Sequence, residues 1–256
     1  MEKHYKNETT NKKVLILSTL RLIFCVTLII SITYIIKWYI DIRQNKIVEE
    51  KVSEAIHIEN IDDIENITKV KYDIDFKKLK GINNDTIGWI KVNGTNIEKA
   101  VVKSKDNNYY LKHNFEKKYN QAGWIFVDYR NKLDGTDKNI IIYGHNMKND
   151  SMFGTLRNIL KEEWYNNDDN YIVNFVTENE NQKYQVFSVY QIENEDYYLK
   201  TEFSNNEFIK FIETLKNRSV KNFNVELTQE DSILTLSTCG NTNKYRIVLH
   251  AKKLDK

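Results

Sequence analysis

The chain has 256 residues, with 38 basic and 36 acidic side chains, a formal net charge of +2, 2 Cys, 8 Gly and no Pro, whereas average usage would supply roughly a dozen prolines. The missing proline excludes collagen-like, polyproline and proline-rich docking segments, and the balanced charge offers no nucleic-acid footprint. At 41% hydrophobic and 12% aromatic, the chain can bury a packed core, which excludes wholesale disorder.

The first element is an apolar run, Val14–Ile36. About 23 residues at 1.5 Å each cross a hydrocarbon layer of about 30 Å. Arg21 sits within the run, at a depth from which its side chain snorkels to the near interface. A span shifted to Leu22–Ile40, with Lys37 snorkelling at the far end, fits equally well. A cleaved signal peptide would have a shorter apolar core and an Ala-x-Ala site; here Lys37-Trp38-Tyr39 follows instead, which favours a retained anchor. Lys3, Lys6, Lys12 and Lys13 precede the span. The positive-inside rule therefore places the N-terminus in the cytoplasm and the large C-terminal part outside. The organisation expected is a cytoplasmic tail over 1–13, a transmembrane anchor over 14–36, a helical stalk over 37–80 and a catalytic-size β domain over 81–256. The stalk rests on Ile47, Val48, Val52, Ile56, Ile61 and Ile64, whose spacing is loosely helical.

From residue 86 the pattern changes to strands. Thr86–Val92 and Thr95–Val102 flank Asn93-Gly94, a hairpin signal in which both central residues would take positive φ. Further strands are expected at Trp124–Tyr129, Asn139–Gly144, Tyr171–Thr177, Tyr184–Gln191, Ile233–Thr238 and Tyr245–Ala251. About eight strands without βαβ alternation predict a closed or nearly closed barrel. Two helices interrupt them. Met152–Trp164 aligns Phe153, Leu156, Ile159, Leu160 and Trp164. Ser204-Asn-Asn-Glu207 reads as a capping box before Phe208, Phe211, Ile212 and Leu215, a stripe suited to core packing between the sixth and seventh strands.

The two cysteines lie too far apart, in surroundings too different, to found a disulfide framework. Cys25 sits in the apolar run, leaving Cys239 as the one thiol of the exported part. Cys239 ends the alternating run from Ser232, Arg246 opens the next strand beyond a short loop, and His145 ends the Asn139 strand. Each residue taken alone has an ordinary reading as a core, surface or solvated side chain, and His4, His57, His113 and His250 are read that way. Together a thiol, an imidazole and a guanidinium at strand edges are the parts of thiolate attack, proton relay and oxyanion stabilisation. The order His before Cys is the reverse of papain-like enzymes. Scattered Asp and Glu show no ligand spacing, so no metal or other cofactor is expected.

Thr235-Leu-Ser-Thr-Cys239 with Arg246, and Tyr143-Gly-His-Asn-Met147, resemble the two signature motifs of the sortases. Trp89-Ile90, Val101–Leu111, Gly123–Asn131, Met152-Phe153 and Val248–Ala251 are similar to class B sortases in particular. The resemblance runs from about residue 80 to the C-terminus. It implies a mainly β fold, the sortase-type eight-stranded barrel with N-terminal helices and a helix between strands six and seven. It also implies a cysteine transpeptidase of a Gram-positive cell surface. Cys239 would attack the Thr carbonyl of a C-terminal sorting motif, His145 would move the proton, and Arg246 would hold the oxyanion or substrate carbonyl. Ser237, Thr238 and Asn107 match groove positions of the family and would bind substrate. The implied partners are surface proteins bearing the sorting motif, a peptidoglycan or lipid-linked precursor amine, and the membrane through the N-terminal helix, with no nucleic acid. Two departures bear on specificity: Ala100 stands where the family carries Pro, and the loop Gly240–Tyr245 is short. The other readings of these residues are a surface cysteine peptidase that mainly hydrolyses and a non-catalytic surface binding domain.

Overall fold

The computed structural model describes residues 2–62, 68–193, 195–204, 206–239 and 244–254, with only the backbone at 2–12, 58–62, 68–71 and 239. The chain divides into two compact units, Met1–Gln44 and Asn45–Lys256.

The first unit is the greater part of one long helix, α1 (Glu2–Ser53). Within it lies an 18-residue window of mean hydropathy 2.4, and the apolar side chains from Val14 to Ile40 are exposed. Length and composition suffice to cross a membrane.

In the second unit the last turns of α1 bury Val48 and Val52 with Ala55, Phe76 and Leu79. There the expected helical stalk is corrected. The helix stops at Ser53, and β1 (Ile56–Asp62) and β2 (Thr68–Ile74) form a two-stranded antiparallel sheet instead. The 68–74 stretch alternates polar with Val, Tyr and Ile, and Tyr72 lays its ring 4.6 Å from that of Trp89. Alternation with cross-element packing outweighs a loose helical spacing. Ile64 lies outside the described residues. A short helix, α2 (Phe76–Ile82), follows, with the Asp75 carboxylate capping the Lys78 N–H at 2.8 Å.

Eight strands then close a barrel: β3 (Thr86–Val92), β4 (Glu98–Lys103), β5 (Phe126–Val127), β6 (Asn139–His145), β7 (Ile172–Val176), β8 (Asn181–Glu193), β9 (Ile233–Cys239) and β10 (Tyr245–Lys253). Their order around the barrel is β10-β8-β7-β3-β4-β5-β6-β9. Among the described residues, β4–β5 and β6–β9 are the parallel pairs of the barrel, and its closure pairs each barrel strand on both sides. The barrel wall buries Trp89, Ile90, Val101, Ile142, Leu236 and Leu249. α4 (Glu207–Arg218) occupies the connection between β8 and β9, the sixth and seventh barrel strands, and buries Phe208, Phe211, Ile212 and Leu215 as expected.

Three local expectations are revised. The β3–β4 loop spans Asn93–Ile97, and Gly94 alone of the Asn-Gly pair has positive φ (+68°). Asn93 is drawn away from a two-residue turn because its carbonyl accepts from Trp164 Nε1 and its amide donates to Asp169 O. The Met152–Trp164 helix is a 3₁₀ segment over Gly154–Leu160 followed by one α turn, α3 (Glu162–Tyr165). The capping box is half formed: Glu207 Oε2 accepts from Ser204 N and Oγ, but the N-cap is Asn206, in left-handed backbone with no side-chain cap bond.

Candidate active site

Register alone assembles the site. β6 and β9 run parallel with His145 opposite Cys239. β9 and β10 run antiparallel with Val248 opposite Ser237. The paired register ends there; Cys239 lies two residues beyond Ser237 on β9 and Arg246 two residues before Val248 on β10, and between them Ile247 N donates to Thr238 Oγ1 at 3.3 Å. Neighbouring strands are about 4.8 Å apart and directly paired residues share a face. His145, Cys239 and Arg246 therefore lie at one end of three adjacent strands, β6, β9 and β10.

His145 is aimed by a backbone carbonyl. Its Nε2 lies 2.8 Å from Leu111 O. A carbonyl only accepts, so Nε2 carries the hydrogen of this bond. Leu111 is fixed in turn by a 3₁₀ turn, Tyr109–Leu111, and by Trp124 N donating to Tyr110 O at 2.9 Å. Gly123 permits this approach: its φ is +59°, and a Cβ there would lie 2.3 Å from Tyr110 O. On the opposite face, Gly144 leaves room for the Phe153 ring, which a Cβ would meet at 2.7 Å. Phe153 N returns a bond to His145 O at 3.0 Å, so the strand end holding the imidazole is tied on both sides. Arg246 is half-buried and pairs with Ile192 of β8. A row of thiol, imidazole and guanidinium can accept an acyl group, move a proton and balance a developing oxyanion.

The sortase domain family matches residues 90–254 of this chain. Sortase B of Staphylococcus aureus is 33% identical over 241 residues, which cover 92% of this chain and 96% of that protein. The chain is a class B sortase. Solved relatives agree. Sortase B of Bacillus anthracis, solved in complex with AAEK1, is 34% identical with a TM-score of 0.72, covering 85% of this chain and all of that one. The Staphylococcus aureus sortase B–substrate complex is 36% identical with a TM-score of 0.66, covering 71% and 85%. Class B sortases are cysteine transpeptidases, so membership decides for an enzyme over a non-catalytic binding domain.

The sortase supports its row with buried polar groups. Ser237 and Thr238, expected in the substrate groove, are fully buried. Ser237 Oγ shares a 2.8 Å hydrogen bond with the Tyr198 hydroxyl, and Thr238 Oγ1 accepts from Ile247 N. Asn107 is one layer from the row: it donates to Asp128 Oδ2 at 3.0 Å and accepts from Tyr129 N. Asp128, 0% exposed, also accepts two Arg130 guanidinium bonds at 2.8 and 2.7 Å and the Tyr143 hydroxyl at 2.8 Å. Burial pushes its carboxyl up, but the Arg130 side chain and backbone and the Tyr143 hydroxyl together hold it below the usual range. Tyr143 lies two residues before His145 on the same face of β6. Asp128, Tyr198 and the Leu111 carbonyl, bonded to Tyr143, Ser237 and His145, are neighbours of the candidate site that the sequence does not single out. For Asp128 the signal was present, as an Asp-x-Arg pair at the end of a strand.

Proposed function

We propose that this sortase is a membrane-anchored transpeptidase that cleaves a C-terminal sorting motif after Thr and joins the protein to a peptidoglycan amine. The observation that carries the reading is the parallel register that pairs His145 with Cys239, with Arg246 two positions along β10 from Val248, the partner of Ser237. The Staphylococcus aureus relative solved in complex with substrate supports a substrate-binding enzyme.

In this reading the Cys239 thiol gives its proton to His145 and its sulfur bonds the Thr carbonyl carbon. Arg246 supplies fixed donors to the oxyanion, a planar fork that Lys does not reproduce. The scissile C–N bond then breaks, and the leaving nitrogen takes the proton from His145. A thioester remains. The acceptor amine loses a proton to His145 as it bonds the carbonyl carbon, the C–S bond breaks, and the leaving sulfur takes that proton from His145, which restores the thiol and the neutral imidazole. Ser237, Thr238 and Asn107 shape the groove from beneath through Tyr198, the β10 backbone and Asp128. The N-terminal helix anchors the enzyme, with 1–13 cytoplasmic and the unit from Asn45 outside. A cell-wall or lipid-linked precursor amine is the acceptor, and surface proteins with sorting motifs are the donors.

Mass spectrometry of a sorting-peptide library incubated with the enzyme and an oligoglycine or diaminopimelate-type amine tests this. The expected products are amine adducts at Thr, lost in Cys239→Ala and reduced about 10²–10³-fold in Arg246→Lys. Cleavage that yields only free acid with every amine would make the enzyme a hydrolase, and robust turnover by either variant would sink the mechanism.

A further inference from the structure

The connection leaving β8 passes close to the catalytic row. β8 ends with Ile192 and Glu193 paired to Arg246 and Tyr245, and the chain returns so that Tyr198 bonds Ser237, two positions before Cys239 on the same face. The four residues Tyr197–Lys200 are each held from a different part of the barrel. Tyr197 donates to the Tyr190 hydroxyl of β8 at 3.1 Å. Tyr198 reaches Ser237 of β9. Leu199 O accepts from Arg130 at 2.9 Å. Lys200 O accepts from Asn139 Nδ2 of β6 at 2.8 Å, with Tyr198 O at 3.4 Å from the same nitrogen.

The middle of this clamp is a relay in which every hydrogen is assigned. Asn139 Oδ1 accepts from Thr235 Oγ1 at 2.7 Å. The one hydroxyl hydrogen of Thr235 is thereby used, so at 2.8 Å it accepts from His250 Nδ1–H. His250 Nε2 then accepts from Tyr190 at 2.9 Å, and Tyr190 accepts from Tyr197. The chain of donors thus begins and ends on the same segment, Tyr197 at one end and Lys200 at the other. Asn139, Thr235, Ser237 and His250 are all 0% exposed, so none of these bonds has water as a substitute.

We propose that Asn139 is a positioning residue of the sortase: it closes the Tyr190–His250–Thr235 relay onto the Tyr198 and Lys200 carbonyls and so holds Tyr197–Lys200 as a fixed wall beside the row of His145, Cys239 and Arg246. A sorting peptide that reaches Cys239 would lie against this wall, which would set its position. The inference rests on the proposed transpeptidation. Asn139→Asp keeps the acceptor for Thr235 and turns the donor toward two carbonyls into a repelling oxygen. Tyr198→Phe removes the bond to Ser237 and keeps the ring.

The test uses the full-length enzyme in detergent. Loss of one such bond corresponds to roughly a tenfold rise in KM for the sorting peptide. The expected pattern is that rise in both variants, with kcat within about twofold and hydrogen exchange at Tyr197–Lys200 faster. Alkylation of Cys239 by iodoacetamide, followed on its tryptic peptide, should keep the wild-type rate. Unchanged KM and exchange in both variants would overturn the proposal. So would a joint fall of kcat and Cys239 alkylation, which would mean general damage to the barrel end. Should Asn139→Asp fail to fold, Tyr198→Phe decides by the same readouts. If the wild type turns over no sorting peptide, the functional reading fails, and exchange alone then decides the clamp: faster at Tyr197–Lys200 upholds it, unchanged overturns it.

Discussion

His250 shows how much a single residue's surroundings decide. In the sequence it is one of several histidines with an ordinary reading. In the barrel it is fully buried, its Nδ1–H spent on Thr235 and its Nε2 on Tyr190, with Phe187, Tyr190 and Tyr198 as ring neighbours. Burial pushes its pKa down to about 3. The folded state therefore holds His250 neutral while the unfolded chain protonates it below about 6.5. The unfolded state binds more protons between those values, so stability is full above pH 6.5 and falls as pH drops toward 3. Between pH 7.5 and 5.0 the loss is about 2 kcal/mol. The carboxylates with lowered pKa, Asp128 and Asp231 among them, lose their contribution only at lower pH. Urea unfolding across this window measures the slope, and His250→Gln, which cannot titrate, should flatten it. A flat wild-type profile would contradict a neutral buried His250.

At the scale of elements, the barrel strands and the packing stripe of α4 were legible because period-2 alternation and i, i+3, i+4, i+7 spacing are local signals. The His145, Cys239 and Arg246 positions were legible too, because each ends or opens a strand with a recognisable run. The β1–β2 pair was not, since Ile56 and Ile61 fit a helical spacing as well as a strand, and only Tyr72 on Trp89 decides between them. Nor was the clamp. Tyr198 and Ser237 are 39 positions apart and Tyr190 and His250 are 60 apart, and no local pattern carries such pairs. Gly144 shows the same limit: its motif position is visible, but its reason, the Phe153 ring, lies across the sheet. Gly144→Ala forces a Cβ against that ring at 2.7 Å, and overpacking of this kind costs about 1–3 kcal/mol. Because the strain falls next to His145, activity at 25 °C should drop as well. Thermal unfolding and steady-state turnover check both, and a second change, Phe153→Leu, should recover part of the stability by making room.

At the scale of the whole molecule, the two units differ in what stabilises them. The unit from Asn45 has its own core, running from Val48 and Val52 through the barrel to Leu249 and Ala251. In the first unit the helix from Glu2 exposes its apolar side chains from Val14 to Ile40, and such a surface is stable only in lipid or detergent. A fragment starting at Asn45 should therefore remain soluble and fold cooperatively. It should cleave a soluble sorting peptide within about twofold of the full chain, because uniform removal of an element outside the site leaves transition-state contacts intact. The full chain should sediment with membranes and resist extraction by carbonate. The lysines before the span favour an inside N-terminus, so protease added to intact cells stripped of wall should digest the barrel unit and spare a tag placed before Met1. Digestion of the tag with protection of the barrel would reverse the orientation, and an inactive or aggregated Asn45 fragment would mean that α1 before Gln44 contributes to the catalytic fold.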